Sequence, residues 1–123
     1  MLFKIGQRNY LINLKIKFRE NFRPFAPAVL EEDIKNYFKL KNKSPYMLIV
    51  TEIRDDIKIK SKKKYKGLDK LKILRSKIPS VTHVDFSARV QTVSKNTNEK
   101  FYQLINDFKS LTGDSLIINT SFN

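Results

Sequence analysis

The chain has 123 residues, 41% of them hydrophobic and nine of them Phe, with Lys+Arg 25 against Asp+Glu 12 and a formal net charge of +13. That apolar content excludes a disordered chain, and the length is enough for one domain to fold without a metal or disulfide staple. The absence of Cys and the single histidine, His83, exclude disulfides, thiolate sites, Cys nucleophiles and His-rich metal clusters. No apolar run approaches the length of a membrane span. The start Met1-Leu2-Phe3-Lys4 has no apolar segment of signal-peptide type, so the expected compartment is the cytoplasm.

In chain order, Lys15 to Arg23 (Lys-Ile-Lys-Phe-Arg-Glu-Asn-Phe-Arg) comes first. Lys17 and Arg19 are two apart and point to one side of an extended backbone, and Arg23 follows in a stretch stiffened by Pro24 and Pro27. Three such cations can cradle a phosphate, or form a solvated basic strand. Interleaved with Phe18, Phe22 and Phe25, they could also stack single-stranded RNA. From Ala28, apolar Val29, Leu30, Ile34, Tyr37 and Phe38 fall at helical spacing with acids near the start, which predicts a helix near 28–39. Tyr46 to Ile53 reads as a strand. Asp55-Asp56 reads as a solvated turn, with no metal role, and a short strand is expected at Ile57–Lys60.

Residues 58–77 hold ten basic side chains and one acid, Asp69, and so carry +9 of the +13. This segment reads as an exposed excursion. Lys dominates over Arg, and Ile and Asn are abundant, as in AT-rich genomes, so compositional drift stands beside a nucleic-acid footprint as the source of the charge. Arg, which supplies bidentate phosphate and base contacts, is scarce.

Val81–Val84 and Ala88–Val93 read as two strands. In the first, His83 and Asp85 would share a face, so that Asp85 could orient the imidazole. In the second, Arg89 stands on an otherwise apolar strand, where a buried arginine needs an anionic partner. A helix follows, with Asn96 and Glu99 at capping-box spacing, an apolar face of Phe101, Leu104, Ile105, Phe108 and Leu111, and Gly113 as the terminating glycine. Leu116-Ile117-Ile118 reads as a central, buried strand. It delivers Asn119, Thr120, Ser121 and Asn123 to a loop beyond its carboxyl end, where α/β sheets place ligands. Strands and helices intermix, which makes the fold class α/β or α+β. No Walker loop, dinucleotide fingerprint or nucleophile elbow is present.

Taken together, Lys15–Pro27, Ala28–Glu31, Ser44–Met47 (Ser-Pro-Tyr-Met), Ile78–Val93, Phe101–Ile105 and Leu116–Asn123 resemble, in order over about 110 residues, the C-terminal domain of nodulation-protein-U-type carbamoyltransferases. That family also includes antibiotic O-carbamoyltransferases. The resemblance implies one YrdC-like domain over residues 1–123, a twisted mixed sheet with flanking helices. Such a domain uses carbamoyl phosphate and ATP, with Mg2+, to form carbamoyladenylate. A separate N-terminal domain of actin-like ATPase fold, absent from this chain, transfers the carbamoyl group to an acceptor hydroxyl in biosynthesis. The family's Lys-x-Arg motif falls on Lys17 and Arg19, and its Ser-x-Asn motif on Ser121 and Asn123. Arg23 and Arg89 match further basic positions. The resemblance thus implies Lys17, Arg19, Arg23 and Arg89 as the catalytic cations. Ser121 and Asn123, with Asn119, Thr120, His83 and Asp85, are the expected nucleotide- and substrate-binding residues. The family pattern continues past Ser-Phe-Asn, which implies a fragment truncated at its C-terminus that works with an N-terminal domain in trans, with small-molecule substrates and no membrane. The competing expectations are a basic RNA- or DNA-binding module and a non-catalytic remnant.

Overall fold

The computed structural model describes residues 23–59 and 74–120, together with Lys15 and Gly67. Four strands form one mixed sheet: β1 (Ala26–Leu30), β2 (Ile49–Glu52), β3 (Ser87–Val93) and β4 (Leu116–Asn119), in the order β2-β3-β1-β4. β1 runs parallel to β3 and antiparallel to β4, and β2 is antiparallel to β3. The α-helix of the described residues, α1 (Glu99–Thr112), carries the chain from β3 across β1 to β4. The mixed α/β class expected from the sequence is the class observed.

β1 replaces the helix expected near 28–39. Pro27, Ala28, Val29 and Leu30 are all buried, so the segment reads as a continuous apolar run with no period-two alternation. Its side chains nevertheless alternate. Val29 packs with Ile34, Phe38, Ile53, Ala88 and Val90 on one face, and Ala28 and Leu30 pack with Val93 and Ile105 on the other. Pro27 is tolerated in this inner strand because the ladder to β3 begins only at Ala28. The acids Glu31, Glu32 and Asp33 then open a 3-10 turn, Glu31–Asn36, in place of an α-helix.

The helical face of α1 covers half of one side of the sheet. Its Ile105 is fully buried, with Phe101 and Tyr102 packed beside it. The cap is Asn98, whose side chain accepts from the Phe101 N–H at 3.2 Å, two residues past the expected Asn96. Gly113 ends the helix in the left-handed conformation, φ 84°, as expected. Of the predicted apolar face, Leu104 and Leu111 stay exposed. β4 is an edge strand among the described residues, with Ile118 exposed, and so is neither central nor fully buried.

The opposite side of the sheet is closed by irregular chain. Ile57, Ile78 and Phe86 pack there. Buried Ser76 and Thr82 join their hydroxyls at 2.7 Å, and Thr82 donates to the Ile78 carbonyl. The strand expected at Ile57–Lys60 is a single bridge, Lys58 to Ser76, after the 3-10 turn Asp55–Ile57. The Ile59 N–H donates to the Arg75 carbonyl and the Lys77 N–H to the Ile57 carbonyl, so the two ends of the Lys-rich segment are tied together. Lys58 is half-buried and Ser76 buried, against the expected exposure at those two positions. Residues 60–66 and 68–73 lie outside the described residues. Lys58, Lys39, Glu52 and Asp55 form an ion network in which Lys58, then Lys39, holds the Asp55 carboxyl down to about 2. Among the described residues no helix is long and apolar enough to cross a membrane.

Candidate functional site

Among the described residues, α1 packs on only part of its face of the sheet, over Ala28, Leu30 and Val93. At the far end of this face the register sets Val50 beside Arg89, Glu52 beside Ser87 and Ala26 beside Asn119. Side chains two apart on a strand share a face, so Arg89, Gln91 and Val93 all point to the α1 side. Val93 lies under the helix, whereas Arg89 is exposed beyond it. The sequence expectation of a buried Arg89 is corrected accordingly: it is exposed, and its paired neighbour Val50 is itself 61% exposed.

Two adjoining cavities open there. The larger, about 550 Å³, is walled by Arg23, His83, Ser87, Arg89 and Val50 with the Pro24–Ala26 segment. The smaller, about 290 Å³, lies between Arg89, Met47, Asn119 and Thr120 and shares that same segment. Arg89 therefore stands in both. The Pro24–Ala26 wall is fixed by the Phe25 N–H, which donates to the Ser80 carbonyl at 2.8 Å. Among the described residues lining the two cavities, none is acidic. Two guanidinium groups on one wall suit an anion, since guanidinium offers forked donors to phosphate or carboxylate oxygens.

The structure thus brings together Arg23, Arg89, His83, Asn119 and Thr120 from distant parts of the sequence. The parallel strands β1 and β3 point their amino ends at the site, while β4 reaches it with its carboxyl end, as expected for Asn119 and Thr120. Asp85 does not line either cavity. The strand predicted at Val81–Val84 is a 3-10 turn, Pro79–Val81, followed by a turn in which the His83 N–H donates to the Ser87 carbonyl and Phe86 adopts φ 64°. The Asp85 carboxylate turns back to accept from the Ser87 hydroxyl at 2.6 Å and the Ser87 N–H at 3.0 Å. Those bonds, hydroxyl first, hold it below the usual carboxylate range. Asp85 shapes the entry to β3 and does not orient His83. Lys17, Arg19, Ser121 and Asn123 lie outside the described residues.

Sequence reasoning missed Met47, Gln91, Ser87 and Val50. For Gln91 the signal was its period-two spacing from Arg89. For Met47 it was the Ser-Pro-Tyr-Met motif, which forms a loop anchored on β3: the Ser44 N–H donates to Thr92 Oγ1, and the Thr92 N–H to the Ser44 carbonyl, both at 2.9 Å. Met47 has φ 56°, which few non-glycine residues adopt, and this bend brings its Sδ to 3.7 Å from the Asn119 side-chain nitrogen.

The family model described as "Carbamoyltransferase C-terminus" matches residues 4–123. An uncharacterized protein of Synechocystis is 49% identical over 116 residues, 92% of this chain and 19% of that protein. Nodulation protein NolNO of Sinorhizobium fredii is 41% identical over 115 residues, 91% of this chain and 14% of that protein. Nodulation protein U of Rhizobium tropici is 36% identical over 109 residues, 89% of this chain and 16% of that protein. The chain belongs to the carbamoyltransferase C-terminus family. It spans less than a fifth of the length of these curated relatives.

Proposed function

We propose that residues 1–123 are one C-terminal domain of a carbamoyltransferase that binds carbamoyl phosphate and ATP for carbamoyladenylate formation, and that an actin-like domain supplied in trans passes the carbamoyl group to an acceptor hydroxyl. The observation that carries this reading is the convergence of Arg23 and Arg89 on two adjoining cavities at the carboxyl end of β4. Carbamoyl phosphate and ATP are both polyanions. Bringing them together needs fixed cations that offset their repulsion and stabilise charge on the departing phosphate, which is electrostatic work more than covalent chemistry. A chain without Cys is no obstacle to it.

In this reading Arg89, present in both cavities, bridges the two anions, and Arg23 holds the one in the larger cavity. Asn119 and Thr120 supply polar contacts from the end of β4. By the resemblance, Lys17 and Arg19 add charge and Ser121 and Asn123 complete the loop. In this reading Mg2+ arrives bound to the nucleotide phosphates.

The test is calorimetry on the chain with ATP and with carbamoyl phosphate. Arg89→Ala is expected to weaken both, each by about tenfold or more, since a charge-assisted contact contributes roughly 1.5–3 kcal/mol. Arg23→Ala is expected to weaken one ligand more than the other. Unchanged affinity for both ligands in both variants removes the site assignment.

A further inference from the structure

The loop before β2 that carries Ser-Pro-Tyr-Met holds three unfavourable features in one short stretch. Ser44 is buried, and its hydroxyl has no hydrogen-bond partner among the described residues. Met47 keeps the left-handed backbone, φ 56°, which a residue with a Cβ resists. Tyr46 and Leu48, on either side of it, are 80% and 83% exposed. The loop is nevertheless anchored at both ends. Ser44 is tied to Thr92 through its N–H and its carbonyl, and the Gln91 amide nitrogen donates to the Pro45 carbonyl at 3.1 Å. From Ile49 onward the chain is held in the ladder to β3. Residues 46–48 are therefore a strap between two fixed points, and it borders both cavities: Met47 lines the smaller, and Val50, just beyond the strap, lines the larger.

Backbone strain, an orphaned hydroxyl and exposed apolar side chains meeting at the edge of a site mark a segment with a second arrangement available to it. We propose that residues 46–48 are a strap that closes over the two cavities when a polyanion fills them, with Ser44 and Ile49 as its hinges. On closure Tyr46 and Leu48 leave water and cover the ligand, and Met47 returns to an ordinary negative φ. The Ser44 hydroxyl then takes the Tyr46 N–H, as Ser does at the head of a turn. Each of the three features is relieved by closing, so an opposing term must hold the strap open. Arg89 supplies it. Its exposed guanidinium stands in both cavities, and covering it strips water from a charge, which is unfavourable until an anion pairs with it. The anion is thus the trigger. Closure also keeps water from an activated carbamoyl group, whose hydrolysis competes with transfer. The strap rests on the polyanion reading above.

The chain has no Trp, so Tyr46→Trp places a single reporter on the strap at an exposed position. Its emission and its quenching by acrylamide are followed in the 123-residue chain as carbamoyl phosphate or ATP is added, with calorimetry on the same samples to show when the site is filled. Saturation is expected to bring a blue shift and a loss of quenching. Ser44→Ala in the reporter chain removes the orphaned hydroxyl. It is expected to leave the urea midpoint equal or higher, to weaken the ligands by about fivefold or more, and to restore part of the quenching at saturation. A Ser44 with a structural role alone leaves affinity and saturated quenching where they were. Met47→Gly, free to adopt the left-handed backbone, is expected to restore quenching at saturation in the same way, and it carries the test if Ser44→Ala does not fold. Binding by calorimetry with unchanged reporter quenching overturns the strap and leaves the functional reading standing. Binding of neither ligand to the wild type overturns that reading and the strap with it. Full protection of the reporter at saturation in both variants overturns the drive assigned to Ser44 and Met47.

Discussion

Asp33 shows what a single side chain contributes away from the site. It sits in the 3-10 turn after β1, nearly buried, and accepts from Lys109 of α1 at 2.7 Å. Burial, the largest single influence, pushes its carboxyl up, but the bonds from Lys109 and Ser115 and the charge of Lys109 outweigh it and hold the group below its ordinary value of 3.8. A carboxyl depressed in the native state adds stability that is fully present above the unfolded value and is lost as pH falls through the native one. Urea midpoints taken from pH 7 down to pH 2 are therefore expected to fall less steeply in Asp33→Asn than in the wild type across the acid limb. Parallel curves would show that the pair does not couple the turn to α1. No local pattern signals this pairing, because the two residues lie far apart in the chain. Arg23 and Arg89 were singled out from their own neighbourhoods. Their meeting point depended on the parallel pairing of β1 with β3, which no local pattern encodes.

Among the elements, α1 was the most legible because its burial is one-sided and so writes a helical period into the sequence. Its two ends of interest make a matched test. Ile105→Ala removes a fully buried side chain and is expected to cost about 2–5 kcal/mol, whereas Leu111→Lys, at an 87% exposed position, is expected to stay within about 0.5 kcal/mol by chemical denaturation. Gly113→Ala is expected to cost about 1 kcal/mol. An added Cβ there meets nothing within 4 Å, so only the left-handed backbone resists it. β1 was illegible for the opposite reason. Burial on both faces erased the alternation, and the acids after it imitated a helix start. The turn at His83–Phe86 was hidden because its shape depends on a positive φ at Phe86, a residue type that seldom adopts one.

For the whole molecule, the charge of the described residues is partly remote from the cavities: Lys58 and Lys77, the described lysines of the basic segment, line neither of them. From the sequence reading of this segment as a solvated excursion, replacing Lys62, Lys63 and Lys64 by Ser is expected to change ATP affinity by less than about twofold. If the same variant instead abolished a tight, salt-sensitive RNA binding, the basic segment would be the functional surface. The pairing of β1 also bears on how the chain emerges from a ribosome. Ala28 finds its neighbours in Gln91 and Ile117. At about 5–20 residues per second, a strand whose partners are made some sixty and ninety residues later waits several seconds for them, against microseconds for a hairpin. Throughout that interval the apolar Ala-Val-Leu run has neither of its native neighbours. Translation speed and the chaperones that shield nascent chains, more than any contact inside the finished domain, then set how much of it reaches the folded state.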